Sequence, residues 1–150
     1  MKIIVDTNVF YNYLFETELT EKAKKILLRK EKLFTSFTVV NELVYIISRK
    51  LAEKNYGISS YQKFREFISK NGYGEFKNYR NKVFELFNAL NLIILPDYQE
   101  LSLVLEIMQK YHLLPNDALI AATCKYYGIN KIATFDEDFE KVDFLETVKV

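Results

Sequence analysis

A chain of 150 residues with a formal net charge of +1 is long enough to bury one sizeable core, and too near neutrality for its charge alone to imply a nucleic-acid partner. Its single cysteine, Cys124, excludes an internal disulfide and any cysteine-based zinc site, which suits a reducing cytoplasmic setting. Only three apolar residues separate Met-Lys from Asp6, and no stretch approaches the roughly 20 apolar residues of a membrane span, so neither a signal peptide nor a membrane partner is expected.

Ile3-Ile4-Val5 is an apolar run stopped by Asp6-Thr7-Asn8, and reads as a buried strand carrying a carboxylate at its end. Asn8 is placed to cap a short helix over 9–15. A second helix is expected over 20–30, with Ala23, Ile26 and Leu27 inward, and a strand over 33–37. Thr38 then caps a long helix to about residue 54, whose buried stripe is Val40, Leu43, Val44, Ile47 and Leu51. Glu42 lies in its first turn beside Val39, Tyr45 and Ile46, at the edge of the core or in a pocket.

The stretch 55–78 is the least regular. It holds an expected helix over 60–70 and a glycine-rich turn, and reads as a helical arm or cap on a single domain spanning 1–150. A helix over 79–90 follows, then a strand over 92–95 stopped by Pro96, then an amphipathic helix over 99–112. Pro115-Asn116-Asp117 opens a helix that is apolar nearly all round and closed by Gly128, so it is expected to be buried. A fourth strand over 131–135 ends at Asp136, and 144–150 could add an edge strand. Strands alternating with helices predict an α/β fold, a three-layer α/β/α sandwich around a mainly parallel sheet.

In such a sheet ligands bind outside the carboxyl ends of the strands. Strand ends and the first turns of the following helices share that edge, so Asp6, Glu42, Asp117 and Asp136 can converge there although far apart in sequence. Converging carboxylates repel, and a cation would make the cluster tolerable. Oxygen-only ligands favour Mg2+ or Mn2+, ions that bind phosphates and activate water. The lone His112 and Cys124 give little support to a histidine- or thiolate-based mechanism. Each acid also has a bland reading: a first-turn acid complements the helix dipole, and Asp136 and Asp138 in FDEDF could be turn formers. Asp6 is the hardest to dismiss in that way.

IIVDTNVF, TSFTVVNELVY, PNDALIAATCKYYG and IATFDEDF together resemble the PIN-domain ribonucleases, most closely the small VapC-type toxins. The resemblance spans nearly the whole chain in order and does not extend clearly to 55–78. It implies an α/β/α sandwich and a metal-dependent endoribonuclease, with Asp6, Glu42, Asp117 and Asp136 as catalytic, metal-binding acids and Mg2+ or Mn2+ as cofactor. Asp138 then looks like an auxiliary acid, and Thr7, Asn8 and Thr134 like polar residues that orient the carboxylates or a phosphate. An RNA substrate, a homodimer and a cognate antitoxin protein are implied partners, with a 5′-phosphate and a 3′-hydroxyl as products. Alternatives are a housekeeping role in RNA processing or decay, and a catalytically silent interaction module. A phosphotransfer enzyme with Asp6 as nucleophile is disfavoured by Asn8 standing two residues on.

Two basic runs, Lys22 to Lys32 and Arg49 to Lys54, and the scattered Arg65, Lys77, Arg80 and Lys82 read mainly as solvated helix faces. Those near the acids could contact phosphates. Phe10, Tyr11, Tyr13, Phe15 and Tyr45 read as core or subunit contacts before base-stacking residues, and Cys124 as an inert core residue.

Overall fold

Side-chain patterning drives one sheet. The computed structural model describes residues 1–150, except the side chain of Glu75. The strands are β1 (Lys2–Val5), β2 (Lys32–Ser36), β3 (Ile93–Leu95), β4 (Lys131–Ala133) and β5 (Glu146–Thr147). They pair in the order β3-β2-β1-β4-β5, every pairing parallel. Ile3, Ile4 and Val5 are fully buried, as a central strand covered on both faces requires.

Seven helices flank the sheet: α1 (Thr7–Leu14), α2 (Thr20–Leu27), α3 (Phe37–Tyr56), α4 (Tyr61–Asn71), α5 (Lys77–Ala89), α6 (Leu101–Tyr111) and α7 (Pro115–Tyr127). Short 3-10 turns cover Gly74–Phe76 and Glu137–Lys141. α1 packs on α2 and α3, and α6 packs on α7. The chain runs from β1 outward through β2 to β3, then back past β1 to β4. The strand order therefore reverses between β1 and β4, the switch point where open α/β sheets bind ligands.

Several boundaries differ from the sequence expectation, each for a local reason. Asn8 does not cap α1. Asp6 does, its carboxylate accepting from the Thr7 amide, and this frees Asn8 to reach the segment just beyond β4. Ser36, not Thr38, caps α3 by accepting from the Val39 amide, and Asp97 accepts from the Thr38 amide at 3.0 Å. The earlier start puts Glu42 in the second turn of α3 rather than the first, where the dipole explanation for an acid no longer applies. The fully buried stripe of α3 runs through Val39, Leu43 and Ile47, with Val40 and Val44 only half-buried. β4 stops at Ala133, so Asp136 lies beyond the strand and caps the following 3-10 turn. β5 is two residues long, shorter than the expected 144–150.

α7 carries Ala118, Ala121 and Ala122 with no exposed surface, and these small residues let it sit close to its neighbours. Gly128 ends it at φ 68°, a left-handed position that a side chain would strain. Phe10 and Phe15 are core residues, Phe10 packed on Phe87 and Phe15 stacked on Tyr79, so they offer no face to a base. No helix among the described residues is long and apolar enough to cross a membrane.

Candidate active site

Five acids gather at the carboxyl edge of β1 and β4. Asp6 follows β1 and is 6% exposed. Asp117 is in the first turn of α7, Asp136 and Asp138 lie just beyond β4, and all three present carboxylate oxygens within 4.8 Å of one another. Glu42 approaches from α3, which touches α7. Its carboxylate accepts from the Thr7 hydroxyl at 2.8 Å. Asp138, read from sequence as an auxiliary acid, thus belongs to the tightest group, while Asp6 and Glu42 stand beside it.

The polar residues between the acids form one network. The Thr134 hydroxyl accepts from the Asp136 amide at 3.0 Å and from the Asn8 side chain at 3.3 Å. With both lone pairs taken, its proton goes to Asp6 at 2.8 Å. Asn8 Oδ1 in turn accepts from the Phe135 amide at 3.0 Å. These bonds hold the backbone at 134–136 beyond the end of β4, where Asp136 and Asp138 lie beside Asp117. Both Asp6 oxygens are acceptors, one for the Thr7 amide and one for Thr134, a pattern suited to a charged carboxylate.

Electrostatics shows how closely the acids are coupled. Burial pushes Asp6 up to about 6 against the relief given by Thr134 and Thr7, with Glu42 and Asp136 adding repulsion. Asp117 rises to about 7, first through burial and then through the charges of Asp6, Asp136, Glu42 and Asp138. One carboxylate therefore senses all four others. Partly buried acids raised by burial and by one another are the kind of cluster that functional sites carry. The oxygen spacing of Asp117, Asp136 and Asp138 suits a hard divalent cation, whose ligands sit about 2.0–2.6 Å from it.

Cys124 shares α7 with Asp117 but is fully buried, and burial pushes its thiol up to about 12, away from the thiolate form that a nucleophile or metal ligand needs. His112 ends α6 in a left-handed conformation at φ 56°, and its carbonyl accepts from Lys141. Sequence reasoning missed Asp97, whose signal was its place directly after the Pro96 strand stop. Arg49, named from sequence only as one member of a basic run, is held by Tyr45, Ser59 and Phe64, and the last two come from outside its own helix.

An α/β/α protein with five acids at the switch point of a parallel sheet defines a class, that of proteins with an acidic centre able to take a divalent cation. The chain belongs to the PIN-domain family, whose model matches residues 3–145. It is 32% identical over 151 residues to Ribonuclease VapC2 of Methanocaldococcus jannaschii, covering 99% of this chain and 94% of that protein. It is 52% identical over 75 residues to Ribonuclease VapC6 of the same organism, covering 49% of each. Solved structures share the fold. VapBC2 of Rickettsia felis, bound to a promoter DNA fragment, superposes with a TM-score of 0.63 at 16% identity, covering 99% of this chain and 98% of that one. The sarcin-ricin loop cleaving toxin VapC20 of Mycobacterium tuberculosis does so at 0.56 and 15% identity, covering 96% of this chain and 97% of its own.

Proposed function

We propose that this chain is a Mg2+- or Mn2+-dependent endoribonuclease acting as the toxin of a toxin–antitoxin pair. The observation that carries the reading is the acidic centre, five carboxylates coupled at the sheet's switch point in a chain whose full-length relative is a ribonuclease. Asp117, Asp136 and Asp138 would hold the ion, with Asp6 as a further ligand and Glu42 as a ligand or a base that orients water. A divalent ion there would polarise a phosphodiester and lower the pKa of water.

The protein's own groups do the positioning. Thr134 aims Asp6 and, through the Asp136 amide, fixes the loop that carries Asp136 and Asp138. Thr7 holds Glu42 at the centre, and its amide braces Asp6. Asn8 ties α1 to the segment that follows Ala133, which fixes the acids of the two segments relative to one another. The whole chain acts as one nuclease domain, with α4 as the arm on it. Solved relatives in complex with antitoxins support a cognate antitoxin as partner, and a homodimer is the expected assembly.

The test is cleavage of RNA by metal-stripped protein with Mg2+ or Mn2+ restored, beside Mn2+ calorimetry. Wild type cleaves and binds Mn2+, while Asp117→Asn loses activity by about 100-fold or more and binds Mn2+ weakly. Robust cleavage by the Asp117→Asn protein overturns the reading. An active enzyme encoded without a neighbouring antitoxin gene would instead favour a housekeeping role.

A further inference from the structure

Several of the molecule's cations are paired with acids. On α2 Lys24 meets Glu21, and just beyond the helix Arg29 meets Glu31. Arg49 is different. It makes no ion pair among the described residues, yet its guanidinium is held in place. Nη1 donates to the Tyr45 hydroxyl at 2.8 Å and Nη2 donates to the Ser59 carbonyl at 2.7 Å. The group also sits 5.3 Å from the Phe64 ring centroid and 5.8 Å from that of Tyr45, and the two rings meet edge to face. Phe64 is buried, so the support is rigid.

All of these partners are neutral. They orient the side chain and leave its charge uncompensated. Two of its five N–H donors are used, and three remain, enough for a forked contact to a phosphate. The location matters equally. Glu42, Tyr45, Ile46 and Arg49 follow one another at i, i+3, i+4 and i+7 on α3, forming one exposed or half-exposed stripe. Arg49 is therefore about 10 Å along the helix from Glu42, on the same face. An isolated cation fixed at that distance from one of the five carboxylates is suited to an anion that also approaches those carboxylates through a metal. A nucleic-acid backbone is such an anion.

We propose that Arg49 is a positioning residue that binds an RNA phosphate one or two nucleotides from the bond to be cut, with Tyr45, Ser59 and Phe64 holding it ready. The proposal rests on the ribonuclease reading of the acidic centre. Its benefit is preorganisation, since an arginine already fixed by neutral acceptors loses little freedom when the phosphate arrives.

Steady-state cleavage of a short single-stranded RNA is compared for wild type, Arg49→Gln and Tyr45→Phe at several salt concentrations, with thermal melts alongside. Arg49→Gln is expected to raise KM roughly 10-fold with kcat within about 2-fold, and to reduce the salt slope of log kcat/KM by about one. Tyr45→Phe keeps the charge and loosens the fork, so KM rises a few-fold with the salt slope unchanged. In the inactive Asp6→Asn background, fluorescence anisotropy should show the same loss of RNA binding on adding Arg49→Gln. An active enzyme whose KM and salt slope ignore Arg49→Gln overturns the proposal, as does a fall in Tm and kcat alone, the mark of a brace for the arm. A wild-type protein that neither binds nor cuts RNA overturns the ribonuclease reading and this proposal with it.

Discussion

Thr134 is the smallest part on which the acidic centre depends. Its hydroxyl spends its one proton on Asp6 and both lone pairs on Asn8 and the Asp136 amide. Thr134→Val keeps the shape and removes all three bonds. Activity or Mn2+ affinity should drop by about 10- to 100-fold while the melting temperature changes little, as read by kinetics, calorimetry and a thermal melt. Asp6 and Asp117 make a second prediction. Their folded-state values, about 6 and about 7, stand above the ordinary 3.8, so the folded metal-free protein holds protons that the unfolded chain releases. Stability from these protons is complete below about pH 4 and is lost as pH rises through 6 to 7. For Asp6 alone the loss is roughly 3 kcal/mol by pH 7. The metal-free protein should therefore melt at lower temperature at pH 7.5 than at pH 5, and Mn2+ should raise the melting temperature most at the higher pH. At this scale the sequence was partly legible. Asp6 and Asp117 could be placed because an apolar run ending in an acid and a Pro-Asn-Asp helix start are local signals. Asp138, read only as an auxiliary acid, could not be placed in the tightest group, nor could Arg49's fixation be seen, because each depends on contacts from elsewhere in the chain.

α3 and α7 carry the centre's two helical acids, and their ends decide where those acids stand. Ser36 caps α3 two residues earlier than Thr38 would have done, which moves Glu42 into the second turn and against Thr7. Ser36→Ala should cost about 1 kcal/mol in urea unfolding and lower activity by more than its stability effect explains, because the helix start positions Glu42. α7 tolerates no growth on its packed side. Ala121 has no exposed surface, and Ala121→Leu should destabilise by about 1–3 kcal/mol through overpacking, measured by the same unfolding curve. Helix existence was readable from periodicity throughout, whereas helix boundaries shifted by up to three residues. Competing caps explain the shifts: Ser36 and Thr38 are both able caps, as are Asp6 and Asn8, and only tertiary partners choose between them.

The topology explains why acids so distant in sequence can meet. Strand order β3-β2-β1-β4-β5 puts β1 beside β4, so residues 6 and 136 become neighbours, and α7 runs directly into β4. Alternation of strands and helices was enough to foresee a parallel sheet between helical layers. The order of strands was not readable, because it is set by crossover handedness and by which strand is apolar on both faces. Fully buried Ile3, Ile4 and Val5 identify β1 as that strand, and it is the one that delivers Asp6. The central claim is that this delivery builds a metal-dependent centre for cutting RNA. It is tested most directly by mapping cleavage of an RNA oligonucleotide in Mn2+ by wild type and Asp6→Asn protein side by side. Discrete products with 5′-phosphate ends from wild type, abolished by EDTA and absent with Asp6→Asn, are predicted. Equal cleavage by the two proteins, or cleavage that survives EDTA, would contradict the account.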